Sequence, residues 1–196
     1  RASCCYWGKC SFCWHNHPDR SFAVVDPEAV VERVRAYVER HGVRHFVFCD
    51  NAVDQAYMRD LAAGLATADL EPLEWDMNSR FEEDFQDPEY CRLLRRSGCK
   101  MIFFGLETVN RRHLKSFRKG ISMDGVPVML RSCGEAGLVP CAYIIVYPSQ
   151  TTEDLKDTLR FCLEHRRHLG MVIMQRFMLN EYCIAYDEPE RPAIPP

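Results

Sequence analysis

No segment of this 196-residue chain is an unbroken apolar run of membrane-spanning length, and its first residues hold no apolar signal-peptide core. Basic charge is not in excess either. The 25 Lys and Arg stand against 28 Asp and Glu, a net charge of −3, so no cationic field points to nucleic acid. No G-x-G-x-x-G follows a strand-like run, which argues against a dinucleotide fold. What remains is one domain by length, with 47% apolar residues and enough chain for a sizeable core. Cysteine is plentiful, at 11 residues. In a chain this long that does not read as a secreted disulfide scaffold. Cys99, Cys133, Cys141 and Cys162 sit in apolar patterns and read as buried small hydrophobes. A reducing cytoplasm is the expected setting.

The informative stretch is the beginning, Cys4-Cys5-Tyr6-Trp7-Gly8-Lys9-Cys10-Ser11-Phe12-Cys13. Cys5, Cys10 and Cys13 stand in C-x4-C-x2-C spacing. The x2 pair points two thiolates at one metal centre and the earlier cysteine can close over it. Thiolate sulfur suits zinc or an iron–sulfur cluster. A cubane cluster on three cysteines leaves one iron open, where a substrate or cofactor can bind. Cys4 is a rival for Cys5 as first ligand. The alternative reading is a zinc-stabilised structural or binding module, with His15 and His17 close to Cys10 and Cys13.

Downstream, helix and strand signals alternate. Asp26-Pro27-Glu28 opens a helix with an apolar stripe at Val30, Val31, Val34, Tyr37 and Val38, and Gly42 stops it. Strands are expected at 45–49, 72–77, 100–105, 138–146 and 171–178, and helices at 54–68, from Asp87-Pro88 to Gly98, at 110–118, 124–136 and 153–167. The basic residues Arg111, Arg112, Lys115, Arg118 and Lys119 are expected on a solvated face. The tail beyond Glu188 is rich in proline and expected to be irregular. This alternation implies parallel strands joined by right-handed helical crossovers, either an open sheet or part of a barrel.

Cys-Tyr-Trp-Gly-Lys-Cys-Ser-Phe-Cys resembles the cluster loop of radical S-adenosylmethionine (SAM) enzymes, and is closest to those that often carry a cobalamin-binding domain. The commonest family spacing is C-x3-C-x2-C; here one residue is added. Gly105-Leu106-Glu107-Thr108 is similar to the family's fourth-strand ending, with Leu114 and Lys119-Gly120 following as they tend to in the family. The run from Ile145 to Asp154 resembles the fifth-strand segment, with Ser149 and Gln150 in place of a glycine and a glutamate.

The resemblance implies an α/β fold, a partial (β/α) barrel with about five parallel strands. The first barrel strand, which precedes the loop in the family, is missing. Residues 1–183 would be the core and 184–196 an irregular Pro-rich tail. The chain reads as a piece of a longer protein that alone is expected to show little activity. The implied function is a [4Fe–4S] cluster on Cys5, Cys10 and Cys13 that reductively cleaves SAM to a 5′-deoxyadenosyl radical. That radical would act on a small-molecule or peptide substrate, with an electron donor such as flavodoxin or ferredoxin. Cobalamin would enter through a domain not in this chain, making a methyltransferase core the alternative. No nucleic-acid or membrane partner is expected.

In such barrels functional groups sit at the C-terminal ends of strands. The candidates are Asp50, Asn51, Asn78, Arg80, Glu107, Thr108, Tyr147 and Asn180. Arg80 can grip a carboxylate bidentately, or pair with Glu82 or Asp84. Glu107 can accept from ribose hydroxyls or an ammonium. Asp50 or Asn51 could take the remaining amine proton. By the resemblance, Phe12 lies near the adenine.

Overall fold

A computed structural model describes residues 2–3, 5–16, 22–181 and 183–187. Cys4, His17 and the tail from residue 188 lie outside these. A short antiparallel pair, β1 (Ala2–Ser3) with β2 (Ala23–Val24), brackets the cysteine loop. Five strands then form one open parallel sheet in sequence order: β3 (His45–Phe48), β4 (Glu74–Ser79), β5 (Cys99–Glu107), β6 (Val139–Val146) and β7 (Met171–Arg176). Among the described residues no parallel strand precedes β3. The expected strand at 72–77 lies two residues later, because Pro72 has no N–H for the ladder while Asn78 and Ser79 continue it opposite Phe103 and Phe104.

The connecting helices begin where their caps dictate. In α1 (Pro27–His41) the Asp26 carboxylate accepts from the Glu28 N–H, and Gly42 closes the helix at φ 64° with its N–H on Val38 O. Asp54 caps α2 (Gln55–Thr67) and Asp87 caps α3 (Pro88–Arg96) in the same way. The short α4 (Arg111–Ser116) is held by Asn110, whose side chain accepts from the N–H groups of Arg112 and His113. Pro127 sits in the first turn of α5 (Val126–Glu135), and a reciprocal Thr151–Asp154 capping box opens α6 (Thr152–Glu164).

Alternation along β5 divides the molecule. Ile102, Phe104 and Leu106 are buried with the helices. There Phe104 stacks on Phe81 at 4.3 Å and meets Phe85 edge-on at 4.9 Å. Phe103, Gly105 and Glu107 line the opposite, concave side. Cys99, Cys133, Cys141 and Cys162 are buried as their apolar settings implied. The last described turn, α7 (Ile184–Asp187), lies where an irregular tail was expected to begin; its Ala185 N–H donates to Ser11 O at 2.8 Å, tying it to the cysteine loop.

Candidate functional site

The loop is built by local turns and by docking on α4. Cys13 N–H donates to Cys10 O at 3.3 Å, closing the x2 spacing into one turn. Cys5 bridges to Ala52, just past β3, in parallel register. The carbonyls at the end of α4 would otherwise be unsatisfied. The loop supplies donors for three of them: Ser11 Oγ to Ser116 O at 3.0 Å, Ser11 N–H to Phe117 O at 3.0 Å, and Trp7 Nε1–H to Arg118 O at 2.9 Å. Phe12 packs edge-on against Phe117 at 5.4 Å.

Cys5, Cys10 and Cys13 line one cavity of about 350 Å³, within the usual size of a small-molecule site. The rest of its wall comes from the C-terminal parts of the strands: Asn78, Ser79 and Arg80 at β4, Phe103, Gly105 and Glu107 of β5, Tyr143 of β6 and Gln175 of β7. Gly8, Phe12, His15, Asn51, Ala52 and Lys119 complete it. A second cavity, of about 320 Å³, opens at the opposite end of the sheet among Leu73, Glu74, Arg95 and Gly98; no cysteine lines it.

Two charged arrangements sit in the first cavity. Arg80 is buried; its Nε donates to Glu82 Oε1 at 2.6 Å and its guanidinium lies over the Trp7 ring at 4.1 Å. Tyr6 hydroxyl donates to the same Glu82 oxygen. Arg80 Nη1 is buried with no hydrogen-bond partner among the described residues. The other arrangement is a buried ion pair, Lys119 Nζ to Glu107 Oε1 at 2.7 Å. Glu107 sits at an irregularity in the β5–β6 ladder with φ 63°, a backbone state unusual outside glycine. Burial lowers the Lys119 pKa, but the Glu107 carboxylate outweighs it and the net direction is upward.

The pair rests directly on Gly105. A Cβ there would stand 2.4 Å from Lys119 Nζ and 2.6 Å from Glu107 Oε1. Gly105→Ala is therefore expected to push the pair apart. Overpacking of this kind costs about 1–3 kcal/mol, readable as a lower urea midpoint at unchanged slope.

The donor set fits an iron–sulfur cluster. Burial pushes the Cys10 thiol up while Lys119 and Arg80 pull it back. Burial likewise pushes Cys13 up to about 11, against a backbone hydrogen bond at His15. Metal binding displaces the thiol protons, and the two buried cations, Arg80 and Lys119, offset the resulting negative charge.

Of the residues singled out in the sequence, Phe12, Asn51, Asn78, Arg80 and Glu107 meet at this cavity with the three cysteines. Asp50 does not line it. It faces a small void beside Val30, Tyr57 and Met58 on the helix side of β3, and its carbonyl accepts from Asn78 Nδ2. Tyr147 packs between Phe117 and Phe177, at 4.8 and 4.4 Å, away from the lining. Thr108 is fully buried against Thr158, and Asn180 is outside the lining. Arg80 does pair with Glu82, as the sequence allowed, but inside the protein.

Lys119 was expected on a solvated face with Arg111, Arg112, Lys115 and Arg118. Those four are exposed and Lys119 is buried. The chain reverses at Arg118, at φ 52°, and Lys119 N–H returns to Leu114 O. Tyr143 and Gln175 were not singled out either; the only signal for them is their phase on the inner side of their strands.

A family model described as the radical SAM superfamily matches residues 3–162. Among curated proteins, the chain is 26% identical over 165 residues to an anaerobic magnesium-protoporphyrin IX monomethyl ester cyclase of Cereibacter sphaeroides, covering 82% of this chain and 27% of that protein. It is 32% identical over 118 residues to a bacteriochlorophyllide d C-12(1)-methyltransferase of Chlorobaculum tepidum, covering 57% of this chain and 25% of that one. The chain thus spans about a quarter of the length of these relatives. In fold it is similar to the radical SAM methyltransferase TsrM of Kitasatospora setae, solved with cobalamin and a [4Fe–4S] cluster. The TM-score is 0.79 at 15% identity, covering 93% of this chain and 34% of TsrM. Methylornithine synthase superposes with a TM-score of 0.68 at 15% identity, covering 95% of this chain and 54% of that one.

Proposed function

The chain belongs to the radical SAM superfamily, and from that premise we propose that residues 1–183 are a catalytic core holding a [4Fe–4S] cluster on Cys5, Cys10 and Cys13, with SAM in the adjoining cavity. The observation that carries this reading is the shared wall: three thiols, a buried Arg80 with an unpartnered Nη1, and the Glu107–Lys119 pair around about 350 Å³. Bound there, a reduced cluster would supply one electron to SAM, whose sulfonium C–S bond would break to release methionine and a 5′-deoxyadenosyl radical able to take hydrogen from a substrate.

The protein's part is placement. Arg80 would donate to the SAM carboxylate, the one group on that ligand that matches a guanidinium. Glu107, fixed by Lys119 and by its position on β5, accepts from ribose hydroxyls. Phe12 offers an apolar edge to the adenine, and Asn51 and Asn78 offer amide groups at the rim. Tyr143 and Gln175 also line the cavity and would meet a substrate there. The substrate is a small molecule or a peptide, and an electron carrier such as flavodoxin or ferredoxin serves as reductant. Among the described residues no helix is long and apolar enough to cross a membrane.

A cobalamin-dependent methyltransferase is the second reading, favoured by the likeness to TsrM and to the C-12(1)-methyltransferase. Cobalamin would then be held by parts of a longer protein.

The test is SAM binding by calorimetry on anaerobically reconstituted protein. Arg80→Ala is expected to keep its iron and to weaken SAM binding by roughly tenfold to a hundredfold, the equivalent of ~1.5–3 kcal/mol for one charged hydrogen-bond partner. Unchanged affinity would remove Arg80 from the site.

A further inference from the structure

Trp7 belongs to the part of the loop that departs from the commonest family spacing, and among the described residues its ring meets Lys9, Arg80, Arg118 and Gly120. We propose that Trp7 is a positioning residue for Arg80: its indole face fixes the plane of the guanidinium so that Nη1 is presented to the carboxylate of SAM. This rests on the reading of Arg80 given above and adds to it a residue that touches neither cofactor.

Arg80 has three kinds of surroundings. Its Nε is held by Glu82 at 2.6 Å, its Cζ lies over the Trp7 ring at 4.1 Å from the ring centre, and Nη1 has no hydrogen-bond partner among the described residues. Buried N–H groups are nearly always paired, and one left unpaired costs about 1–3 kcal/mol. Arg80 is a lining residue of the cavity, and a donor left unpartnered within it is therefore a ligand contact in waiting. All five N–H bonds of a guanidinium lie in its plane. Once Nε is tied to Glu82, only rotation of that plane decides where Nη1 points, and a ring packed 4.1 Å from Cζ restricts that rotation. The attraction between a guanidinium and an indole face adds to this restraint.

Trp7 can act as a template because it is itself fixed. Its Nε1–H donates to Arg118 O at 2.9 Å. Its six-membered ring lies against Gly120, where a Cβ would stand 2.2 Å from Cζ2 and 2.5 Å from Cη2. Gly120 also has φ 68°, so glycine is required there twice over, by the turn and by the ring. Lys9 Nζ lies 4.7 Å from the ring centre. Glu82, the other restraint on Arg80, is held in turn by the hydroxyl of Tyr6, the residue before Trp7. Two neighbouring loop residues thus fix one arginine, one through its carboxylate partner and one through its face.

The experiment compares the dissociation constants of SAM and of decarboxylated SAM, which lacks only the carboxylate, on anaerobically reconstituted protein. The readout is the ratio between them, and iron per chain is measured for every variant. Arg80→Ala is expected to shrink the preference for SAM tenfold or more. Trp7→Leu, which keeps bulk but has no π face, is expected to shrink it by a similar factor with iron unchanged. Trp7→Phe, which keeps an aromatic face, is expected to retain most of it. If Arg80→Ala leaves the ratio unchanged, the reading of Arg80 fails. If Arg80→Ala lowers it and Trp7→Leu does not, that reading stands and the positioning role is overturned. Should Trp7→Leu lose iron, the ratio is measured on cluster-free wild type and variants, where the same ordering is expected and equal ratios for wild type and Trp7→Leu overturn the proposal.

Discussion

Alanine at Cys10 or at Cys13 is expected to leave anaerobically reconstituted protein with essentially no bound iron, while alanine at Cys99 keeps the full complement. All three thiols are in buried or partly buried surroundings, so burial does not separate them; placement does. Cys10 and Cys13 are joined by one turn and face a cavity with Cys5. Cys99 begins β5 beneath the helices and is fully buried. Removing a ligand takes away one of only three protein bonds to the cluster, whereas removing the Cys99 thiol loses only packing. Cys5→Ala should behave as Cys10→Ala does, and Cys4→Ala should retain iron. The reverse result for Cys4 and Cys5 would move the first ligand by one position. Iron content by colorimetric assay decides each case.

The second large effect is expected at Lys119. Lys119→Ala strips the buried Glu107 carboxylate of its partner at 2.7 Å. Breaking a buried pair from one side typically costs about 3–5 kcal/mol, because the remaining charge stays out of water. For a domain of this size that corresponds to a melting temperature lower by roughly 6–20 °C. In the wild-type protein the Lys119 pKa is raised above the usual 10.5, with burial opposing and Glu107 prevailing. A raised folded-state value means that the contribution is complete below the unfolded value and is lost as pH rises through the folded one. The wild-type advantage over Lys119→Ala should therefore be constant near neutrality and fade only above about pH 10.5. An equal melting temperature for the two proteins at pH 7 would show that the pair carries no stability.

Much of this fold is legible in the sequence because its signals are local. Asp26-Pro27 and Asp87-Pro88 each put a capping carboxylate one residue before a proline, and both helices start there. The cysteine spacing is legible for the same reason, since Cys5, Cys10 and Cys13 lie within nine residues of one another. The rest depended on which side of a strand end a residue faces. Asp50 and Tyr147 both follow strands, yet one turns toward the helices and the other into an aromatic cluster. Lys119 closes a run of bases, and only the reversal at Arg118 carries it inside. Tyr143 and Gln175 reach the cavity through strand register, which pairs Tyr143 with Gly105 and no local pattern encodes. Trp7 lies between Cys5 and Cys10, where the spacing is one residue longer; its contacts with Arg80 and Gly120, distant in sequence, leave no local signal.

The most direct test of the central claim is the iron and acid-labile sulfide content of the purified chain after anaerobic reconstitution. A cluster held by Cys5, Cys10 and Cys13 gives about four irons and four sulfides per chain. One zinc per chain with no iron and no sulfide would contradict it.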